Sequence, residues 1–276
     1  MLGYADNTVL IIEPAIHDDL NLERKREMNL LGAHLFSDHQ PLEMDKVFKT
    51  TIGPWWDYID PYYQQIQEET TWKALPPVII AAFKYLGCDE HSPTFINIYR
   101  MAYFAGYIHT TVKDVEEGQE HDRKMQFSVL IGDLLFGRLL QLLVEADKKK
   151  IMMPFAAMIC TINEGRVMKH KMNAGAETAV EKIYASLYET IFLSAAIIAG
   201  REKEFRDMYR RLGLNLGMAI ELTNVPDLQN KADKYQTAAR DIFKQINQQS
   251  RLQNSLLEKL IKLCSPSNDN GKTAVI

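Results

Sequence analysis

Residues 127–144 are interrupted by polar side chains only at Ser128, Asp133, Arg138 and Gln141, with two glycines besides. A helix written this way is apolar nearly all the way round, which predicts a helix in the centre of a bundle. It is also the one segment near membrane-spanning length, and Asp133 with Arg138 inside it favours a core helix over a membrane span. Other stretches carry helical stripes. Residues 155–171 are amphipathic, and 177–199 place Val180, Ile183, Leu187, Ile191 and Ala195 on one face before Gly200. Residues 202–222 and 232–263 continue the pattern. Trp72-Lys73-Ala74-Leu75-Pro76-Pro77 opens a helix over 78–86, which Gly87 is suited to stop.

The first residues read differently. Residues 8–12 suit a short strand or an extended arm, and Pro14 prevents a helix from crossing it. Asp18 and Asp19 suit the first turn of a helix running over 22–36. Trp55, Trp56, Tyr58, Tyr62 and Tyr63, punctuated by Pro54 and Pro61, are read as packing at a helix junction instead of a partner surface. The expectation is therefore an all-α protein: an N-terminal arm over 1–22, a single helical domain over 23–263 and a disordered tail over 264–276.

Composition narrows the function classes. With 276 residues, 46% of them hydrophobic, the chain can bury one large core. A net charge of −4 with interspersed basic residues gives no case for nucleic-acid binding. Cys88, Cys160 and Cys264 are odd in number and far apart, which suits reduced thiols in a cytoplasmic protein. No basic leader followed by an apolar run opens the sequence, so no signal peptide is expected.

One pattern of motifs is more specific. His109-Thr110-Thr111-Val112-Lys113-Asp114 ends a helical stretch, and Gly132-Asp133-Leu134-Leu135 opens the apolar run after it. The arrangement resembles the trans-isoprenyl diphosphate synthase (polyprenyl synthetase) family, in which the first of these reads His-Asp-Asp-x-x-Asp. The resemblance covers about residues 70–230 and implies an isoprenoid-synthase-type helical bundle around a central cavity. It also implies a charge pattern that this chain lacks. Thr110 and Thr111 replace two metal-binding aspartates, and Ala74 and Pro76 replace two diphosphate-binding arginines beside Lys73. Glu189-Thr190 stands for Lys-Thr. After Gly213 and Gly217, residues 220–228 stand for Phe-Gln-x-x-Asp-Asp-x-x-Asp, with Glu221 for the glutamine and Asn224 for an aspartate. Asp114 survives from the first motif, and a shift of one residue recovers Asp227 from the second. Glu164-Gly165 agrees with the family.

Three functions remain open on this reading. The resemblance with both metal clusters degraded implies a catalytically impaired homologue, the non-catalytic subunit of a heteromeric prenyl diphosphate synthase, forming a homodimer or a heterodimer with a catalytic partner. No cofactor is then expected. A divergent active prenyltransferase or terpene-synthase-like enzyme would instead use magnesium on Asp114, Glu117 and Asp227, for which Asp114, Glu117 and His121 have helical spacing. Magnesium needs at least one or two protein carboxylates for each ion. The third possibility is a protein that holds an isoprenoid tail. In the family the two residues four and five before the first aspartate set how far a tail extends; here they are Gly106 and Ala105, both small. Tyr103, Phe104 and Tyr107 beside them could equally fill that space.

Overall fold

The computed structural model describes residues 40–111, 123–145, 149–225, 228–250 and 255–263. The expected arm, the helix over 22–36 and the tail lie outside the described residues, as do Asp114, Glu117, His121 and Asp227. Among the described residues the chain is helical throughout, with no strand. In order come α1 (Gln40–Ile52), α2 (Trp56–Ile66), α3 (Thr70–Leu86), α4 (Ser92–Thr110), α5 (Arg123–Glu145), α6 (Lys149–Lys171) and α7 (Ala176–Val180). A π-helical turn (Glu181–Ala185) leads into α8 (Ser186–Ile198), followed by α9 (Lys203–Leu222), α10 (Gln229–Ser250) and α11 (Ser255–Leu263).

The bundle is organised around α3, α4, α8 and α9. Tyr99 on α4 and Ser194 on α8, both buried, share a 3.0 Å hydrogen bond across the interior. Gly213 and Gly217 of α9 let that helix lie directly on α8, because a Cβ at Gly217 would come within 2.5 Å of the Tyr188 ring. Gly87 ends α3 at φ 75°, and Cys88 N–H reaches back to the Phe83 carbonyl at 3.0 Å. This is the left-handed stop that glycine adopts without steric cost.

Two expectations about helices are corrected. α3 begins at Thr70, eight residues before Val78, and runs through Pro76 and Pro77. Neither proline can donate to the helix ladder. Trp72, Ala74 and Leu75 are buried in the same turn, so apolar packing holds a backbone whose local hydrogen bonding is incomplete. The second correction concerns α5. Its inner stripe of Ile131, Leu135, Leu139 and Leu143 is buried, yet Leu130 is 66% and Val144 53% exposed. Only 33% of the apolar window Phe127–Glu145, long enough to cross a membrane, is buried. α5 is a boundary helix with a second apolar face, not a central one. The face packed on α4 supplies the burial that periodicity required, and the remaining apolar residues look outward.

The aromatic run divides the same way. Tyr63 is buried where α1 to α4 meet, with ring centroids 5.8 Å from Phe48, 5.7 Å from Trp72 and 6.2 Å from Phe104. Arg100 stacks 4.7 Å above the Trp72 ring and pairs with Asp45 at 2.9 Å. Trp55 and Tyr58 remain exposed.

Candidate functional site

The close approach of α9 to α8 sets Glu221, in the last turn of α9, against the start of α3. Its Oε1 accepts hydrogen bonds from Tyr188 at 2.6 Å and from Thr71 at 2.8 Å. Burial raises the Glu221 carboxyl to about 7, against the lowering effect of the two hydroxyl donors, and Glu69 adds to the rise. An open groove lies beside this carboxyl, bordered by Glu68, Glu69, Tyr184, Glu221 and Asn224. Glu69 also pushes up the Tyr184 hydroxyl, after burial and Glu221. The groove is therefore acidic.

The other positions matched to family motifs are occupied by local contacts. Thr110 donates to the Tyr107 carbonyl and Thr111 to that of Ile108, each at 2.7 Å. Thr190 donates to the Ser186 carbonyl at 2.8 Å, and Asn224 to Ile220 at 3.0 Å. Short polar side chains on helices commonly bond back in this way. Lys73 is paired with Glu68 at 2.8 Å, while Ala74 and Pro76 are buried in the core. Glu189 lies 3.3 Å from Arg210, and burial raises its carboxyl more than Arg210 lowers it.

These residues do not fit a magnesium cluster. Thr110, Thr111 and Asn224 supply neutral groups engaged with their own backbone, where hard cations are held by carboxylates. Among the described residues no three His, Cys, Asp or Glu side chains are placed to hold a metal. His109 and the Gly132-Asp133 pair do meet: the ring fills the space above Gly132, with Nε2 3.4 Å from Asp133 Oδ1 in poor hydrogen-bond alignment. Glu164 pairs with Lys182 at 2.7 Å, and Gly165 lets the π-helical turn approach α6 closely.

Deeper in the bundle, a part-enclosed cavity lies between α4, α5 and α6, bounded by Ala102, Tyr103, Gly106, Phe136, Ile162 and Arg166. Ala105 is buried in the core and Gly106 faces the Arg166 guanidinium. Thr71, Tyr184, Tyr188 and Arg166 were not singled out by the sequence. Thr71 precedes Trp72, Tyr188 precedes Glu189 and Arg166 follows Glu164-Gly165, so adjacency to a matched motif was the available signal.

The fold is that of the isoprenoid synthases. A polyprenyl synthase from Caulobacter crescentus, solved with calcium and isoprenyl diphosphate, has a TM-score of 0.61 over 86% of this chain and 97% of that one, at 18% identity. A mint heterotetrameric geranyl pyrophosphate synthase, solved as a deletion mutant with ligands, also scores 0.61, over 87% of this chain and 100% of that one at 14% identity. No family model matches the sequence. An all-trans-nonaprenyl-diphosphate synthase (geranyl-diphosphate specific) from Rhodobacter capsulatus is 29% identical over 181 residues, 58% of this chain. The match spans about half, 54%, of that relative's length. Sequence relative and fold point the same way: the chain has the isoprenoid-synthase fold and resembles a trans-prenyl diphosphate synthase over part of its length.

Proposed function

We propose that this protein is the non-catalytic subunit of a heteromeric prenyl diphosphate synthase. The observation that carries the reading is that the positions matched to metal- and diphosphate-binding residues hold neutral side chains: Thr110, Thr111 and Asn224 are bonded to their own backbone, and Ala74 and Pro76 are buried in the core. Neutral groups of this kind neither hold a magnesium ion nor fork onto a diphosphate. The paired states of Lys73 and Glu189 support the same conclusion. The outer face of α5, with Leu130, Leu140 and Val144 exposed, is the surface offered to a partner of the same fold, either a second copy or a catalytic synthase. The mint neighbour shows the fold in a heteromeric assembly. A cytoplasmic location goes with this role.

The test is magnesium-dependent condensation of allylic and isopentenyl diphosphates. The chain alone is expected to show no turnover, and a catalytic homologue is expected to co-purify with it and change its own rate or product length. Robust turnover by the chain alone, abolished by Asp114→Ala, would establish the divergent active enzyme instead.

A second reading is favoured by the cavity between α4, α5 and α6. Its walls at Ala102, Gly106, Phe136, Ile159 and Ile162 are largely apolar, but its volume is about 10 Å³, so an isoprenoid tail would enter only after the lining side chains move apart. Binding would then rest on apolar area, with poor discrimination between diphosphate and alcohol heads. Competition between a prenyl diphosphate and the matching alcohol tests this, and a strong preference for the diphosphate would reveal a working anion site.

A further inference from the structure

The first turn of α3 depends on other helices for part of its hydrogen bonding. Pro76 and Pro77 have no N–H to offer, so the carbonyls of Trp72 and Lys73 lose the donors that a helix ordinarily places four residues on. The turn is pinned instead at Thr71, whose Oγ1 donates to Glu221 Oε1 at 2.8 Å. Tyr188 on α8 donates to the same oxygen at 2.6 Å. The Tyr103 hydroxyl of α4 interacts with Thr71 as well. One carboxyl at the end of α9 thereby ties together the four helices around which the bundle is organised.

The groups facing Glu221 do not neutralise its charge. Glu221 is 6% exposed and borders, with Glu68, Glu69, Tyr184 and Asn224, an open groove of about 360 Å³. At the start of α3, Glu69 repels it and Lys73 is paired with Glu68. The π-helical turn, α8 and α4 bring the hydroxyls of Tyr184, Tyr188 and Tyr103, and Arg166 of α6 acts on Tyr184 and Tyr103. On α10, packed along α9, Lys231 and Tyr235 are turned to Glu177. Among the described residues no cation lies within ion-pair distance of Glu221. Ionising it leaves a charge that two hydroxyl donors satisfy only in part, and water entering from the groove is the partner that remains.

We propose that Glu221 is a pH-sensitive latch: protonated, it keeps the first turn of α3 closed against α8 and α9; ionised, it lets residues 68–71 swing away and admits water to the carboxylate. Ala74 and Leu75, fully buried, and the two prolines after them mark where the opening stops. The closed form holds its proton up to about pH 7, whereas an opened, hydrated Glu221 returns toward 4.5. Closure is therefore fully favoured below about pH 4.5 and loses that advantage as pH rises through about 7. Between those values local opening increases by up to about tenfold for each pH unit. The latch needs no partner subunit and stands apart from the role proposed above.

The test is hydrogen–deuterium exchange of the full chain, read by mass spectrometry at pH 5.5 and 7.5 and corrected for intrinsic rates. The reporters are the amides of Lys73, Ala74 and Leu75, which bond back to residues 69–71. They are expected to lose about tenfold or more of their protection between the two pH values. At each pH they are expected to exchange faster than residues 187–196 of α8, at a rate that low urea leaves nearly unchanged, which is the signature of a local opening. Protection that does not change with pH would overturn the latch. So would exchange at the same rate and with the same urea dependence as α8, since Glu221 would then act only through global unfolding.

Two variants separate the titrating group from the pin. Glu221→Gln keeps an acceptor for both hydroxyls and cannot ionise, so its protection at residues 73–75 is expected to be the same at the two pH values. A pH response equal to the wild type's would place the titrating group elsewhere and overturn the proposal. Thr71→Val removes the pin from the α3 side while Glu221 still titrates. Its first turn is expected to open about fivefold to tenfold more than the wild type's already at pH 5.5. Unchanged protection in Thr71→Val at that pH would show that Thr71 does not hold the turn, and the latch would fail.

Discussion

α8 and α5 are both dominated by apolar residues, and the bundle uses them in opposite ways. In α8, Leu187, Tyr188, Ile191, Phe192, Ala195 and Ala196 are all fully buried, enclosed by α3, α6 and α9. In α5 one stripe reaches the interior, while Leu130, Leu140 and Val144 stand exposed. Apolar character around a whole helix thus says that two faces avoid water, without saying whose atoms cover the second. For α8 the cover is this chain. For α5, on the proposed function, it is a partner subunit, which makes one helix a determinant of folding and the other a determinant of assembly.

The contrast is sharpest in large-to-small substitutions. Phe192→Ala in α8 is expected to cost about 3–5 kcal/mol of stability by urea denaturation, through lost transfer energy and a cavity. Leu130→Ala in α5 is expected to stay within about 0.5 kcal/mol in the monomer, as exposed substitutions do. Equal losses at the two positions would break the distinction. Leu130→Lys is expected to convert a dimer to monomer by light scattering with the helical circular dichroism unchanged; a wild type that is monomeric at micromolar concentration would remove the assembly role from α5.

The next largest effect belongs to the polar end of the α8–α9 contact. The Glu221 carboxyl is raised from 4.5 to about 7, so the folded protein holds this proton more tightly than the unfolded chain. Its contribution to stability is full below about pH 4.5 and is lost as pH rises through about 7. The difference is on the order of 3 kcal/mol. Glu221→Gln, the residue expected there from the family, should flatten that part of the stability profile. A wild-type profile already flat across this range would show that Glu221 is not buried as described.

Smaller effects test how tightly each region is built. Gly217→Ala brings a methyl against the Tyr188 ring and is expected to cost about 1–3 kcal/mol by overpacking. Lys73→Ala breaks an ion pair with an exposed Glu68 and is expected to cost less than about 1 kcal/mol, with the remaining effect reduced by salt. If Lys73→Ala instead weakened diphosphate binding markedly, Lys73 would belong to a working anion site and the non-catalytic reading would fail.

Periodicity was sufficient to show helices at α6 and α8 to α10, since burying one stripe of a helix requires that spacing whatever lies opposite. The loss of aspartates at Thr110, Thr111 and Asn224 was equally legible, because side-chain chemistry does not depend on packing. The start of α3 was not: Pro76-Pro77 locally disfavours a helix, and only burial of Trp72, Ala74 and Leu75 carries it back to Thr70. Nor was the state of Glu221, whose raised pKa comes from Gly213 and Gly217 bringing α9 onto α8. Arg166 is the clearest case. Its identity and its place after Glu164-Gly165 stand in the sequence, but its contact with Gly106, sixty positions earlier by number, exists only because the fold lets the long Arg166 side chain of α6 reach across the gap to α4. Local order determined the helices and the missing charges of this protein; the long-range packing of those helices decided which acid is buried, which apolar face is left open and which side chain fills the cavity.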